Sequence, residues 1–343
     1  MREKDIIENI KDIGITTLFI MIFILIIPYI LMGSGIKNFT SNENLNNPNN
    51  SIININMKGE ENVKVFRHNT NKVETIPVEE YILGVVSSEM PASFELEALK
   101  AQAVAARTFY YSKRLNNCKE AKGGEICDSV HCQVYMSKDE RLDKWSDKER
   151  KSNYEKIKKA VDETEGMVLT YKGELVLYPQ FFSTSSGKTE NAEDVFSSEV
   201  PYLKSVFSKG EEISNSYESE KIINNNDFIN IINTSYNKAG LTIKNMKNKV
   251  KIKSRTEGGA VNEIIVGNTT IKGTEFRKIF DLKSANFTLE FAKDNVKIYC
   301  KGNGHGVGMS QWGANIMAKN DKKYDYILKH YYTDIEIGKV KFK

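Results

Sequence analysis

The sequence predicts an α+β protein: a helical front packed on a β-rich body that carries an inserted smaller subdomain, with a transmembrane helix ahead of it. Three observations carry that expectation. Between Val78 and Val161 apolar residues recur at three- and four-residue spacing, the period of a helix that buries one face. From Met167 onward, short β-rich runs bounded by turn residues take over. Near the start, Ile13 to Met32 is an uncharged apolar run of the length that a bilayer core requires of a helix.

The elements follow in order. Residues 1–12 form a cytoplasmic tail and residues 13–32 the span. Arg2, Lys4 and Lys11 precede the span and Lys37 alone follows it closely, so the positive-inside rule puts everything after residue 36 outside the cell membrane. A cleaved signal peptide competes: Gly33-Ser34-Gly35 imitates a cleavage site, but the apolar run is long for one. Residues 37–62 are rich in Asn and poor in apolar side chains, a composition that cannot offset the entropy of ordering and reads as a flexible linker.

The extracytoplasmic domain takes residues 63–343. It opens with the strand VKVFRH and a turn at Asn69 to Lys72. Pro77 then starts a helix whose Val78, Tyr81, Ile82, Val85 and Val86 share one face. A second helix runs from about Phe94 to Leu115, with an Ala-rich centre suited to close packing. A third lies within Trp145 to Glu165, with Tyr154, Ile157 and Val161 on one face. MVLTY, ELVLYPQFF, VKIKSRT, NEIIVG, FTLEFA and VKIYC read as strands, and Glu257-Gly258-Gly259 as a hairpin turn. Residues 205–295 form the smaller subdomain, with a helix near Phe228 to Asn237.

The 343 residues are 40% apolar and 27% charged, enough for a sizeable core. A net charge of +4, from 49 basic and 45 acidic residues, is too mild for a nucleic-acid binder. It suits a polyanionic wall or an anionic membrane surface.

Four segments hold polar groups that a core does not require. In Ser87-Ser88-Glu89-Met90-Pro91-Ala92, Pro91 keeps Met90 out of helical geometry, so the first helix ends there. Glu89 then stands at a helix end beside Val86 and Met90. Such a carboxyl can have a raised pKa, as a general acid near neutral pH needs, or be an ordinary solvated carboxylate. In the segment from Phe182 to Asn191, Gly187-Lys188-Thr189 evokes a phosphate-binding loop, but the earlier glycine that motif requires is Phe182. The hydroxyl cluster can hydrogen-bond a sugar or form a plain turn. Tyr202 and Lys204, on an extended stretch, share one face. From Gly302 to Ala314, alternating glycines permit unusual backbone angles and close approach to a ligand. His305, Gln311 and Trp312 there add a titratable ring, an amide and a stacking surface.

Taken together, SSEMPASFELEALKAQAVAARTF, STSSGKTENAEDVF, PYLKS and GHGVGMSQWGA resemble the stage II sporulation protein D family, whose domain the amidase enhancers of vegetative walls share. The resemblance spans about residues 60 to 335. It implies a lytic transglycosylase that cuts peptidoglycan between N-acetylmuramic acid and N-acetylglucosamine, leaving 1,6-anhydro ends, in septal wall remodelling and engulfment during sporulation. Carried over by motif, Glu89 is the catalytic acid, and Arg107, Tyr202, Lys204, His305, Gln311 and Tyr331 line the cleft. A hydrolytic glycosidase needs two carboxylates. A lytic transglycosylase uses the sugar's own 6-hydroxyl, so one acid suffices; Glu190, Glu193 and Asp194 are the rival carboxylates. The resemblance also implies partners, a sporulation amidase and a polytopic membrane protein, at the forespore septum and intermembrane space.

Cys127, His131 and Cys132 offer three soft ligands within six residues, a set that suits Zn2+, with Cys118 or water as the fourth ligand. Helical turns would put Cys127 and His131 on one face, with Cys132 to the side. A disulfide is the main rival, and inert thiols are a third option. Two other functions stay open: a non-catalytic wall-binding activator of a partner amidase, and a zinc hydrolase working through metal-bound water.

Overall fold

The computed structural model describes residues 53–116 and 118–343. The expected span at 13–32 and the first part of the expected linker lie outside them. Among the described residues no helix is long and apolar enough to cross a membrane.

The α+β class holds, but strands and helices interleave instead of forming a helical front and a β-rich body. Strand β1 (Ile53–Met57) already departs from the expected linker. Its Ile55 and Met57 alternate with Asn54 and Asn56, so the apolar side chains bury on one face while the asparagines supply the other. β2 (Asn62–Arg67) and β3 (Lys72–Pro77) form a hairpin. β3 has mostly exposed side chains, so its apolar pattern is weak and the sequence reading missed it.

Helix α1 (Val78–Glu89) starts after Pro77 and ends where Met90 turns extended, φ −129° and ψ 137°, ahead of Pro91. Helix α2 (Leu96–Leu115) is the centre of the main core. Its buried Ala101, Ala103, Ala105 and Ala106 let neighbours approach from several sides. β4 (Ile126–Cys127) adds to the β2 edge in parallel. α3 (Lys138–Leu142) is capped reciprocally by Ser137 and Glu140, and α4 (Asp147–Asp162) buries Ile157, Ala160 and Val161.

β5 (Met167–Tyr171) follows as expected, but ELVLYPQFF is no continuous strand. Only β6 (Glu174–Leu175) and β7 (Phe181–Phe182) pair. Between them Tyr178 sits at φ 53° and Pro179 has no N–H to donate to a ladder. α5 (Ala192–Phe196) is a single short turn of helix.

A second core, separate from the first, lies within residues 223–300. β8 (Glu218–Asn224) leads to α6 (Asn225–Ser235), whose start is capped by Asn224 accepting from the Asp227 N–H at 2.8 Å. β9 (Val250–Arg255), β10 (Val261–Val266) and β11 (Thr269–Lys272) make one antiparallel sheet. α7 (Gly273–Ile279) packs on it. β12 (Phe287–Phe291) and β13 (Asn295–Lys301) complete another sheet with β8. Phe228 stacks on Phe280, and Phe276 on Phe287, at ring separations of 4.9 and 4.7 Å. The subdomain therefore starts nearer 218 than 205. Residues 205–217 belong instead to the main body: Ser208 bonds Tyr331, and Glu211 takes Ser185 N–H and Ser310 O–H.

The chain closes with β14 (Met309–Ser310), parallel to β7, then α8 (Gln311–Lys319), α9 (Tyr324–Tyr331) and β15 (Ile335–Phe342). β15 lies between β1, in parallel, and β5, antiparallel. The first and last strands described are thus neighbours in one sheet.

Candidate active site

The end of α1, the β7 segment and the start of α8 meet around a cleft of about 610 Å³. Glu89 lines it together with Ser88, Met90, Pro91 and Phe94 from the α1–α2 junction. Phe181, Phe182 and Ser183 come from the β7 segment, Gln311 and Trp312 from α8, and Arg141 from α3. Trp312 is held edge-on by Phe94 at 4.9 Å, and its backbone N–H donates to the Ser183 carbonyl at 3.1 Å. Aromatic faces beside hydroxyls and amides are the lining a sugar chain requires.

Glu89 is half-buried, and its Oε1 accepts from the Val134 N–H at 2.6 Å. Burial pushes its carboxyl above the ordinary range; the Val134 hydrogen bond opposes that only in part. The reach from Val134 to Glu89 depends on Gly84, one turn back in α1. A Cβ there would strike the Tyr135 ring and the Met136 carbonyl, so only glycine lets the 133–136 loop lie on the helix.

The other expected site residues scatter. Gln311 lines the cleft, with its Nε2 3.4 Å from Gln102 Oε1. His305 lies in an adjoining small cavity that shares Phe182 with the cleft. Its ring packs near Phe182 and Phe196. Desolvation, and then Arg277, lower its pKa, while the Val307 N–H donates to its Nδ1 at 3.1 Å.

Arg107 does not face the cleft. It is fully buried and donates from Nε and Nη2 to both Glu79 oxygens, at 2.8 and 2.5 Å, and from Nη1 to the Met167 carbonyl. Tyr331 is buried with its hydroxyl on Ser208 at 2.6 Å. Tyr202 is buried too, its hydroxyl donating to the Leu177 carbonyl at 2.8 Å. Lys204, expected on the same face as Tyr202, turns instead to Glu199 and Glu193, at 2.9 and 3.4 Å. Irregular backbone, not a strand, carries this pair, so the two-residue alternation of an extended chain does not apply.

The rival carboxylates are elsewhere. Glu190 is buried in the small cavity beside His305, its Oε1 accepting from Ala260 N–H at 3.0 Å. Glu193 pairs with Lys204, and Asp194 accepts from Asn191. Among the described residues that line the cleft, Glu89 is the only acid.

The alternating glycines serve the protein before any ligand. A Cβ on Gly308 would collide with the Gln180 carbonyl, and one on Gly304 would lie 2.7 Å from Phe182 Cβ. Both glycines have positive φ, 78° and 120°. Their loop thus clamps onto residues 180–190, with Asn303 and Thr184 exchanging backbone hydrogen bonds, and this contact presents Phe182, Gln311 and Trp312 to the cleft.

Two lining features were missed in sequence. Arg141 sits on a five-residue helix too short for periodicity, although Ser137-Lys138-Asp139-Glu140 carries the capping-box spacing that marks its start. Phe181 was read as part of a strand and Phe182 as its end and the start of the hydroxyl segment, so neither ring was taken as a cleft wall.

Cys118, Cys127, His131 and Cys132 converge, their ligand atoms all within 4.8 Å of one another. His131 Nδ1 lies 3.4, 3.8 and 3.6 Å from the sulfurs of Cys118, Cys127 and Cys132. A tetrahedral zinc with sulfur ligands has an edge of about 3.8 Å, so this donor set fits the ion. Residues 128–132 form bends and turns rather than helix, which is why Cys132 joins the cluster instead of pointing aside. All four cysteines of the sequence are free thiols. The Cys132 thiol, with help from Ser129 and His131, pulls the Cys127 pKa well below the ordinary range.

Residues 66–171 match the family model described as stage II sporulation protein. The chain is similar to the stage II sporulation protein D of Bacillus subtilis (strain 168), 40% identical over 80% of this chain and 78% of that one. It is similar also to the protein of that name from Bacillus amyloliquefaciens, 39% identical over the same shares. The amidase enhancer of Bacillus subtilis is 30% identical over 73% of this chain and 39% of its own length.

Proposed function

The chain belongs to the stage II sporulation protein D family, and from that premise we propose that it is a lytic transglycosylase that cleaves peptidoglycan glycan strands to 1,6-anhydro-muramic ends. The observation that carries this reading is the single carboxyl, Glu89, in an aromatic cleft. Two-carboxylate hydrolysis has no second acid there. In the first step Glu89 gives its proton to the glycosidic oxygen as that bond to the muramic anomeric carbon breaks. In the second, the resulting carboxylate takes the proton of the muramic 6-hydroxyl as its oxygen bonds to the same carbon. The glycan supplies the nucleophile, and no water is consumed. The Val134 N–H fixes Oε1, leaving Oε2 to carry the proton. Trp312 and Phe181, both partly exposed, give stacking faces, and Gln311 a hydrogen-bonding amide.

In this reading Cys118, Cys127, His131 and Cys132 hold a zinc ion. Bound there, the ion would supply a structural cross-link, and a set of four protein ligands would leave no position for a reactive water, which disfavours the zinc hydrolase. The proposed setting is the cell envelope, with the apolar run at 13–32 as a single-pass anchor, the catalytic domain outside, and a sporulation amidase and a polytopic membrane protein as partners.

The similarity to an amidase enhancer favours one other reading, a non-catalytic wall binder in which Glu89 only holds sugar. Mass spectrometry of peptidoglycan treated with the full chain separates the two. Transglycosylation gives anhydro ends, which the Glu89→Gln protein fails to form although it still binds wall; about 10²–10⁴-fold in rate is at stake. Because the protonated Glu89 starts the reaction, activity falls as pH rises through its raised pKa. Reducing ends, or cleavage undiminished in Glu89→Gln, would defeat the assignment; a wall binder without cleavage would leave the other reading.

A further inference from the structure

Arg141 is the cation in the wall of the Glu89 cleft, and among the described residues only an aromatic face meets its charge. Its guanidinium carbon lies 4.5 Å from the centre of the Trp145 ring, so one face is occupied by an aromatic. Its Nε is buried and has no hydrogen-bond partner. Among the described residues no carboxylate pairs with it. The contrast with Arg67 is direct. That guanidinium is met by Glu74, Asp128 and Glu140, at 3.2, 3.0 and 2.5 Å. Glu140, the residue next to Arg141, is thereby engaged, and it also accepts from the Ser137 N–H that starts α3. Burial acts unopposed on Arg141 and disfavours its charge.

A partly buried cation with no counter-ion is a standing free-energy cost. That cost is recovered when a ligand brings the anion, and the planar fork of arginine matches a carboxylate. The charge of the reaction disfavours another role. The glycosidic transition state carries positive charge around the anomeric carbon, which a guanidinium would destabilise, so the partner of Arg141 belongs on a substituent of the sugar and not at the reacting centre. We propose that Arg141 recognises a carboxylate substituent of the glycan bound in the cleft and so selects muramyl strands over neutral ones. This rests on the reading of the cleft as a glycan site. Two sources offer that chemistry: the lactyl carboxylate of a muramic acid free of peptide, and the carboxylates of an attached stem peptide.

The test uses the full chain in detergent with Glu89→Gln to prevent turnover, with and without Arg141→Gln. Binding is measured to peptide-free muramyl strands, to peptide-bearing strands and to neutral chitooligosaccharides. Arg141→Gln should weaken muramyl binding about tenfold or more, leave chitooligosaccharide affinity unchanged without lowering the melting temperature, and be partly rescued by Arg141→Lys. Loss confined to peptide-free strands assigns the lactyl carboxylate, and loss confined to peptide-bearing strands the stem carboxylates. Equal weakening toward the neutral ligand, or no weakening at all, overturns the proposal. Selective loss without any anhydro ends from the wild type would keep the anion site and remove the transglycosylase. Anhydro ends with unaltered selectivity would remove only the role of Arg141.

Discussion

The guanidinium of Arg107 ties three elements together, the first turn of α1 through Glu79, its own helix α2, and β5 through the Met167 carbonyl. Arg107 is fully buried and the Glu79 side chain 23% exposed, so losing the guanidinium with its packing approaches, at most, the about 3–5 kcal/mol of a fully buried pair. Arg107→Ala should therefore lower stability by up to roughly that amount in chemical denaturation, and whatever activity it loses should track the unfolded fraction. A variant that melts like the wild type yet fails to bind glycan would return Arg107 to the cleft. Residue type alone could not separate Arg107 from Arg141. Both are arginines in helical segments of the motif-bearing half, and only the partner list distinguishes a structural cation from one left open. Glu89 was legible for a different reason: Pro91 dictates where α1 stops, and that stop fixes where its last carboxyl stands.

At the scale of elements, the segment between β4 and α3 connects the cysteine cluster to the acid. Cys127, His131 and Cys132 anchor one end. Gln133 Nε2 then donates to the Tyr81 hydroxyl at 3.0 Å, Val134 N–H reaches Glu89, and the Tyr135 ring stacks on Tyr81 at 5.2 Å. A glycine inside a helix costs about 0.5–1 kcal/mol; at Gly84 the contact with this segment offsets it. The grouping of Cys127, His131 and Cys132 was readable from spacing, but the segment's hold on Glu89 was not, because it runs through a backbone N–H that any residue possesses. With zinc in the proposed site, treatment with a chelator, or replacing Cys132 with Ser, should lower the melting temperature and raise amide exchange across residues 127–136, with Val134 N–H among those exposed. Unchanged melting and exchange after complete metal removal would show that the thiols and His131 hold the segment without an ion.

Over the whole molecule, β1 closes the main sheet against β15, and this arrangement was the least legible of all. Asn-rich composition reads as disorder when averaged over 26 positions of a supposed linker, yet the alternation Ile53, Ile55, Met57 at its end is a strand pattern of period two. Its partner, the last strand of the chain, lies nearly 300 residues away, and pairing at that separation leaves no local mark. In the subdomain β9, β10, β12 and β13 were legible by contrast, since each pairs with the strand next to it in sequence, whereas β8, whose partner β13 is distant in sequence, was not. The pairing makes a test of the fold possible. Ile55 and Met57 are 3% and 4% exposed, and burying side chains of that size contributes about 1.5–3 kcal/mol each. A chain beginning at Ser51 keeps β1, whereas one beginning at Glu60 loses it and opens the edge of β15, where an unpaired strand invites association. The shorter chain should therefore be less stable by roughly 3–6 kcal/mol, a large share of an ordinary domain's 5–15 kcal/mol, and more prone to aggregate. Equal denaturation midpoints for the two chains would show that β1 is dispensable and that the boundary of the folded domain lies near residue 62 after all.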